Sequence, residues 1–80
     1  MQRSETVEKL KKIVNDIDPE LRISEVGEDT RLIEDIGLNS LTYLMMGIYL
    51  EREFGITFDY QSAASFRTVS DICDYVEEHS

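Results

Sequence analysis

One serine in this chain stands where a hydroxyl can be modified. It is Ser40, in the run Gly37-Leu38-Asn39-Ser40-Leu41, which reads as a turn followed by a capped helix start. A serine at the first position of a helix presents its hydroxyl among backbone N–H groups that have no intrahelical partner. A phosphate esterified there would lie at the positive end of the helix dipole. The plainer reading makes Asn39 or Ser40 a cap and nothing more, and for an isolated Asn-Ser pair that is the better bet. Catalysis by Ser40 is rejected. The one histidine, His79, is second from the C-terminus, and glycines do not bracket the serine as a nucleophile elbow requires.

The elements that must hold this serine are legible from periodicity. A first helix is expected from about Ser4 to Ile17, with Val7, Leu10, Val14 and Ile17 at helical spacing. Asp18-Pro19 ends it, because proline disfavours a helical residue before it and lacks an amide donor. From Asp18 to Asn39 neither a helical nor a strand period is sustained, and so long a loop is functional or hides an element. Ile23, Val26, Leu32, Ile33, Ile36 and Leu38 are expected to pin it to the core. The second helix spans Ser40 to Phe54 and stops at Gly55. A brief turn follows from Tyr60 to Ala64. The last helix, about 68–78, opens with a Thr68–Asp71 capping box and buries Val69, Ile72, Cys73 and Val76. Eighty residues make one domain. The expectation is an all-α four-helix bundle over 1–80, with three main helices, one short one and a long loop after the first.

The second helix is apolar on two sides. Tyr43, Met46, Leu50 and Phe54 form one stripe; Leu41, Leu44, Met45 and Ile48 form another on the opposite face. The first continues to the helix end, whereas the second runs into Glu51 and Arg52, which want water. The first is therefore placed inside and the second largely outside, as a partner surface next to Ser40. Two adjacent methionines suit a surface that must fit several partners. The alternative is a bundle that wraps the helix and buries both.

Composition narrows the function classes. Seventeen acidic residues against eight basic ones give a net charge of -9, which repels nucleic acid and favours partners with basic docking surfaces. Residues 16–35 are the most acidic stretch, with eight acidic and two basic side chains. Asp16, Asp18 and Glu20 resemble the start of a calcium loop, but Leu21 and Gly27 stand where that loop needs Gly and Glu, so no metal is expected. Cys73 is expected to be a small core residue, and His79 with Glu77 and Glu78 a solvated tail. No leader or membrane span is expected, since the uncharged run Leu41–Leu50 is too short. A cytoplasmic monomer is the expectation.

The segment Thr30-Arg31-Leu32-Ile33-Glu34-Asp35-Ile36-Gly37-Leu38-Asn39-Ser40-Leu41 resembles the attachment region of acyl carrier proteins, with an acidic pair, an apolar residue, Gly, a variable residue, then Asp-Ser-Leu. Leu50-Glu51-Arg52-Glu53-Phe54-Gly55-Ile56 is similar to the ending of that family's second helix. Phe66-Arg67-Thr68-Val69 and Asp74-Tyr75-Val76 are similar to parts of its last helix. The resemblance covers nearly the whole chain and implies a non-catalytic carrier. It implies a 4′-phosphopantetheine arm, placed on Ser40 by a separate transferase using coenzyme A, with Asn39 and Leu41 as flanking motif. The arm's thiol would carry acyl groups in fatty-acid, polyketide or related synthesis. Leu41, Leu44, Met45, Ile48 and Glu51 are then the expected docking surface for acyl-loading, synthase and acyl-transfer enzymes. Asn39 departs from the family's Asp, Met45 from its usual acidic residue, and Arg52 reverses a negative charge. An aminoacyl or peptidyl carrier, and a helical interaction domain without modification, remain as alternatives.

Overall fold

The computed structural model describes residues 2–21, 23 and 25–79, apart from the side chain of Tyr60. Both ends of the expected domain, Met1 and Ser80, lie outside the described residues. The described residues form four α-helices: α1 (Arg3–Ile17), α2 (Ser40–Phe54), α3 (Tyr60–Ser65) and α4 (Val69–His79). The chain is a small helical bundle, and the described residues contain no strand, only one isolated antiparallel bridge between Arg31 and Thr68.

The helices bury the faces their periodicity exposes to one another. Leu10 and Val14 of α1, Met46 and Leu50 of α2, and Val69, Ile72, Cys73 and Val76 of α4 meet in one core. Cys73 is fully buried, and that burial pushes its thiol pKa up, which disfavours the reactive thiolate. Beside this core an aromatic cluster fills the space between α4 and the α2–α3 connection. The Phe58 and Tyr75 rings lie 4.7 Å apart, and each is 5.5 Å from Phe66. Glu77, Glu78 and His79 are exposed, as a solvated tail should be, and form the last turn of α4. The His79 ring stacks on Tyr75 with 3.9 Å between centroids, and its Nδ1 lies 2.9 Å from the Tyr75 carbonyl.

The long first loop hides an element. Leu32–Ile36 forms one π-helical turn, closed by Gly37 at φ 99, a left-handed conformation that suits a residue without a Cβ. Five residues are too few to show a helical period, so the turn has no signature in the sequence. It buries Leu32 and Ile36, with Leu38 just after it, but points Ile33 outward at 55% exposure. That corrects the expectation that Ile33 helps to pin the loop. Backbone bonds stitch the loop to the start of α4: Leu32 N–H to the Arg67 carbonyl, Val69 N–H to Thr30 and Ser70 N–H to Glu28. Arg3 clamps the far side, reaching Glu28 at 3.0 Å, Glu77 at 2.7 Å and Asp74. These carboxylates, Asp74 foremost, raise the guanidinium pKa further.

Truncation should separate the two faces of α2. Leu50 is fully buried, so Leu50→Ala should cost about 2–5 kcal/mol in urea denaturation. Leu44→Glu, on the exposed face, should move the midpoint far less.

Candidate functional site

The site is the start of α2 and the stripe that runs from it. Gly37 and Leu38 deliver the chain from the π-turn, and Leu38 is anchored at 2% exposure. Asn39 is then extended, at φ -104 and ψ -177, as a helix N-cap should be. Its Oδ1 accepts from the Thr42 amide at 2.9 Å, and the Thr42 hydroxyl accepts from the Asn39 amide at 2.8 Å. This reciprocal box uses Thr where Glu or Gln is usual, so the spacing rule for capping boxes does not find it. The first-turn bonds thus run between Asn39 and Thr42, and Ser40 between them is exposed. Among the described residues none takes a hydrogen bond to its hydroxyl.

The apolar stripe beside Ser40 is open. Leu41, Leu44 and Ile48 are 65%, 60% and 43% exposed, and Met45 is half-buried. On the opposite face Met46 and Leu50 are buried, while Tyr43 and Phe54 pack partly against the core. Tyr43 does more than fill space. Its hydroxyl donates toward the carbonyls of Phe66, at 3.1 Å, and Ala63, which ties the end of α3 to α2. Burial, and secondarily the negative charge of Asp71, raise its pKa.

Glu51 sits differently from the other residues expected at the docking surface. Its carboxylate accepts from the Phe58 amide at 2.9 Å and so holds the α2–α3 connection. A side chain already bonded within its own chain has one oxygen fewer for a partner. Upstream, Asp35 closes the π-turn on Arg31, accepting from its amide at 2.8 Å and from its guanidinium at 3.0 and 3.2 Å. The Arg31 guanidinium, then its amide, hold the Asp35 carboxyl below the usual carboxylate range.

An exposed serine on a self-capped helix start, flanked by an open apolar stripe, can accept a substituent and present it to a docked partner. Among the described residues no histidine or carboxylate is hydrogen-bonded to Ser40 to act as its base. Residues 8–76 match the family model described as "Phosphopantetheine attachment site". The chain is 34% identical to an acyl carrier protein of Thermosynechococcus vestitus, with 95% of this chain and 93% of the relative aligned. It is 32% identical to one of Zymomonas mobilis, over 95% of this chain and 96% of the relative. Among solved structures, a candidate acyl carrier protein from Mycobacterium tuberculosis superposes with a TM-score of 0.79 at 25% identity, covering 91% of this chain and 96% of that one.

Fold and site together define a carrier domain. The chain belongs to the phosphopantetheine-binding acyl carrier protein family. It is a non-catalytic carrier that serves partner transferases and synthases, and its cofactor is covalently attached 4′-phosphopantetheine. Among the described residues no helix is long and apolar enough to cross a membrane.

Two outcomes follow from the capping geometry. Asn39→Ala should lower stability by about 0.5–2 kcal/mol, while Asn39→Asp, which keeps the acceptor, should change it little; paired urea titrations decide. Asp35, with its pKa lowered in the fold, stabilises above the unfolded value of 3.8 and loses that contribution as pH falls through the folded value. Melting temperatures recorded from neutral to strongly acidic pH should fall less steeply in the acid limb for Asp35→Asn than for the parent chain.

Proposed function

We propose that Ser40 is the residue that carries the phosphopantetheine arm, with Asn39 and Leu41 flanking it, and that the chain shuttles acyl thioesters in fatty-acid, polyketide or related biosynthesis. The observation that carries this is the exposed Ser40 hydroxyl at the first residue of α2, bracketed by the Asn39–Thr42 box. The cofactor's chemistry fits there: its phosphate would lie beside the first-turn amides that a helix leaves unpaired. When bound, the arm supplies a thiol on which acyl groups ride as thioesters.

The chain's own residues then do three things. Asn39 and Thr42 keep the helix start formed without covering it. Leu38, Leu32 and Ile36 anchor the segment that leads into it. Leu41, Leu44, Met45 and Ile48 present the surface on which a transferase, a loading enzyme or a synthase settles. We place the working protein in the cytoplasm, as a monomer. The open apolar stripe also favours a second reading, an aminoacyl or peptidyl carrier, whose loading enzyme would be an amino-acid-activating one.

Incubation with coenzyme A and a broad-specificity transferase, followed by intact mass measurement, tests the assignment. The parent chain should gain one phosphopantetheine and Ser40→Ala none. A parent chain that gains nothing would overturn it. Offering the loaded protein to acyl-loading and amino-acid-activating enzymes then separates the two carrier readings.

A further inference from the structure

The open stripe of α2 ends in a cation. Ile48 and Arg52 lie one turn apart on the same face, as do Met45 and Tyr49. Next to them α1 packs on α2, and a groove of about 240 Å³ runs between the two helices, lined by Lys9, Lys12, Asp16, Tyr49, Arg52 and Glu53 among others. Lys9 is engaged, 3.5 Å from the Glu53 carboxylate and 5.2 Å from the centre of the Phe54 ring. Among the described residues no carboxylate pairs with Lys12 or Arg52, and both are exposed. Asp16 lies one turn beyond Lys12 on α1 without pairing to it. In a chain of net charge -9, the lining of this groove carries a net positive charge.

We propose that the groove extends the docking face and receives an acidic segment of a partner enzyme. Apolar side chains of that segment would cover Leu44, Met45 and Ile48, and carboxylates following them would reach Arg52 and Lys12. Three observations carry this. The stripe needs an apolar cover. The two cations where it ends have no carboxylate partner among the described residues. Tyr49, half-buried in the groove floor, offers an aromatic face with a polar tip, the amphipathic surface favoured at interfaces. The excess of acidic groups over the rest of the molecule disfavours such a segment on most other faces, so charge helps to fix its place. Arg52, with its planar fork of donors, suits a carboxylate.

The role given to the stripe rests on the carrier reading, and the test keeps the two apart. Two matched amphipathic helical peptides of about 15 residues share one apolar face and end in glutamates or in lysines. Each is titrated into the full ¹⁵N-labelled chain in about 0.15 M salt, where a Debye length of about 8 Å confines the comparison to the groove, and the phosphopantetheine content of the same samples is read by mass. The glutamate peptide should shift the amides of Lys12, Ile48, Tyr49 and Arg52 and bind about fivefold or more tightly than the lysine peptide. Arg52→Glu, an exposed change whose spectrum reports an intact fold, should reverse the preference, and ~0.5 M salt should shrink it. Equal or stronger binding of the lysine peptide, no binding of the glutamate peptide, or shifts confined to other faces would overturn the proposal. So would binding of phosphatidylglycerol vesicles through Lys12 and Arg52, which would assign the groove to lipid.

Discussion

The second helix has to begin in the open, and the Asn39–Thr42 box is what allows it. Helix starts carry amides that need acceptors, from a side-chain cap, from water or from another part of the fold. Here two side chains within the first turn supply the acceptors, at 2.8 and 2.9 Å. No other element has to cover the start, and Ser40 stays exposed. The burden of positioning moves one step back, to the loop that leads in. Leu32, Ile36 and Leu38 bury there, while Gly37 turns the chain at positive φ.

The same helix shows how little core the fold can spare. Met46 and Leu50 are essentially inaccessible, but the opposite stripe remains at 43% exposure or more at Leu41, Leu44 and Ile48. Burying that stripe would add hydrophobic stabilisation to a domain of marginal size. It stays open at a cost in solubility that a net charge of -9 offsets. Short aromatic tethers make up for the limited core. Tyr43 ties α3 to α2 through the Phe66 and Ala63 carbonyls, and Tyr75 donates to the Thr57 carbonyl at 2.8 Å.

What could be read from the sequence depended on repetition. The stripes of α2 and α4 repeat often enough to fix the helices; on α2 spacing left two apolar faces, and the charges that end one of them, Glu51 and Arg52, put Leu44 outside and Leu50 inside, as found. The Thr68–Asp71 box was legible because its spacing is a known signature, and both of its bonds form. The π-turn was not legible, since five residues cannot establish a period. Ile33 looked like an anchor by composition, yet the turn's own geometry points it outward. Arg3 and Glu51 were hidden for a different reason. Their partners, Asp74, Glu28 and Glu77 for one and the Phe58 amide for the other, are set by packing and not by any local pattern.

We propose that the fold leaves one serine, Ser40, ready to carry the arm. Ser4, Ser62, Ser65 and Ser70 also belong to helices, and Ser4 and Ser65 are exposed, so exposure alone does not choose among them. Peptide fragmentation of the chain loaded in vitro from coenzyme A tests the claim most directly, because it places the added group on a named residue. Phosphopantetheine on Ser40 alone is the expected result. The group on any other serine, or spread among several, would contradict it.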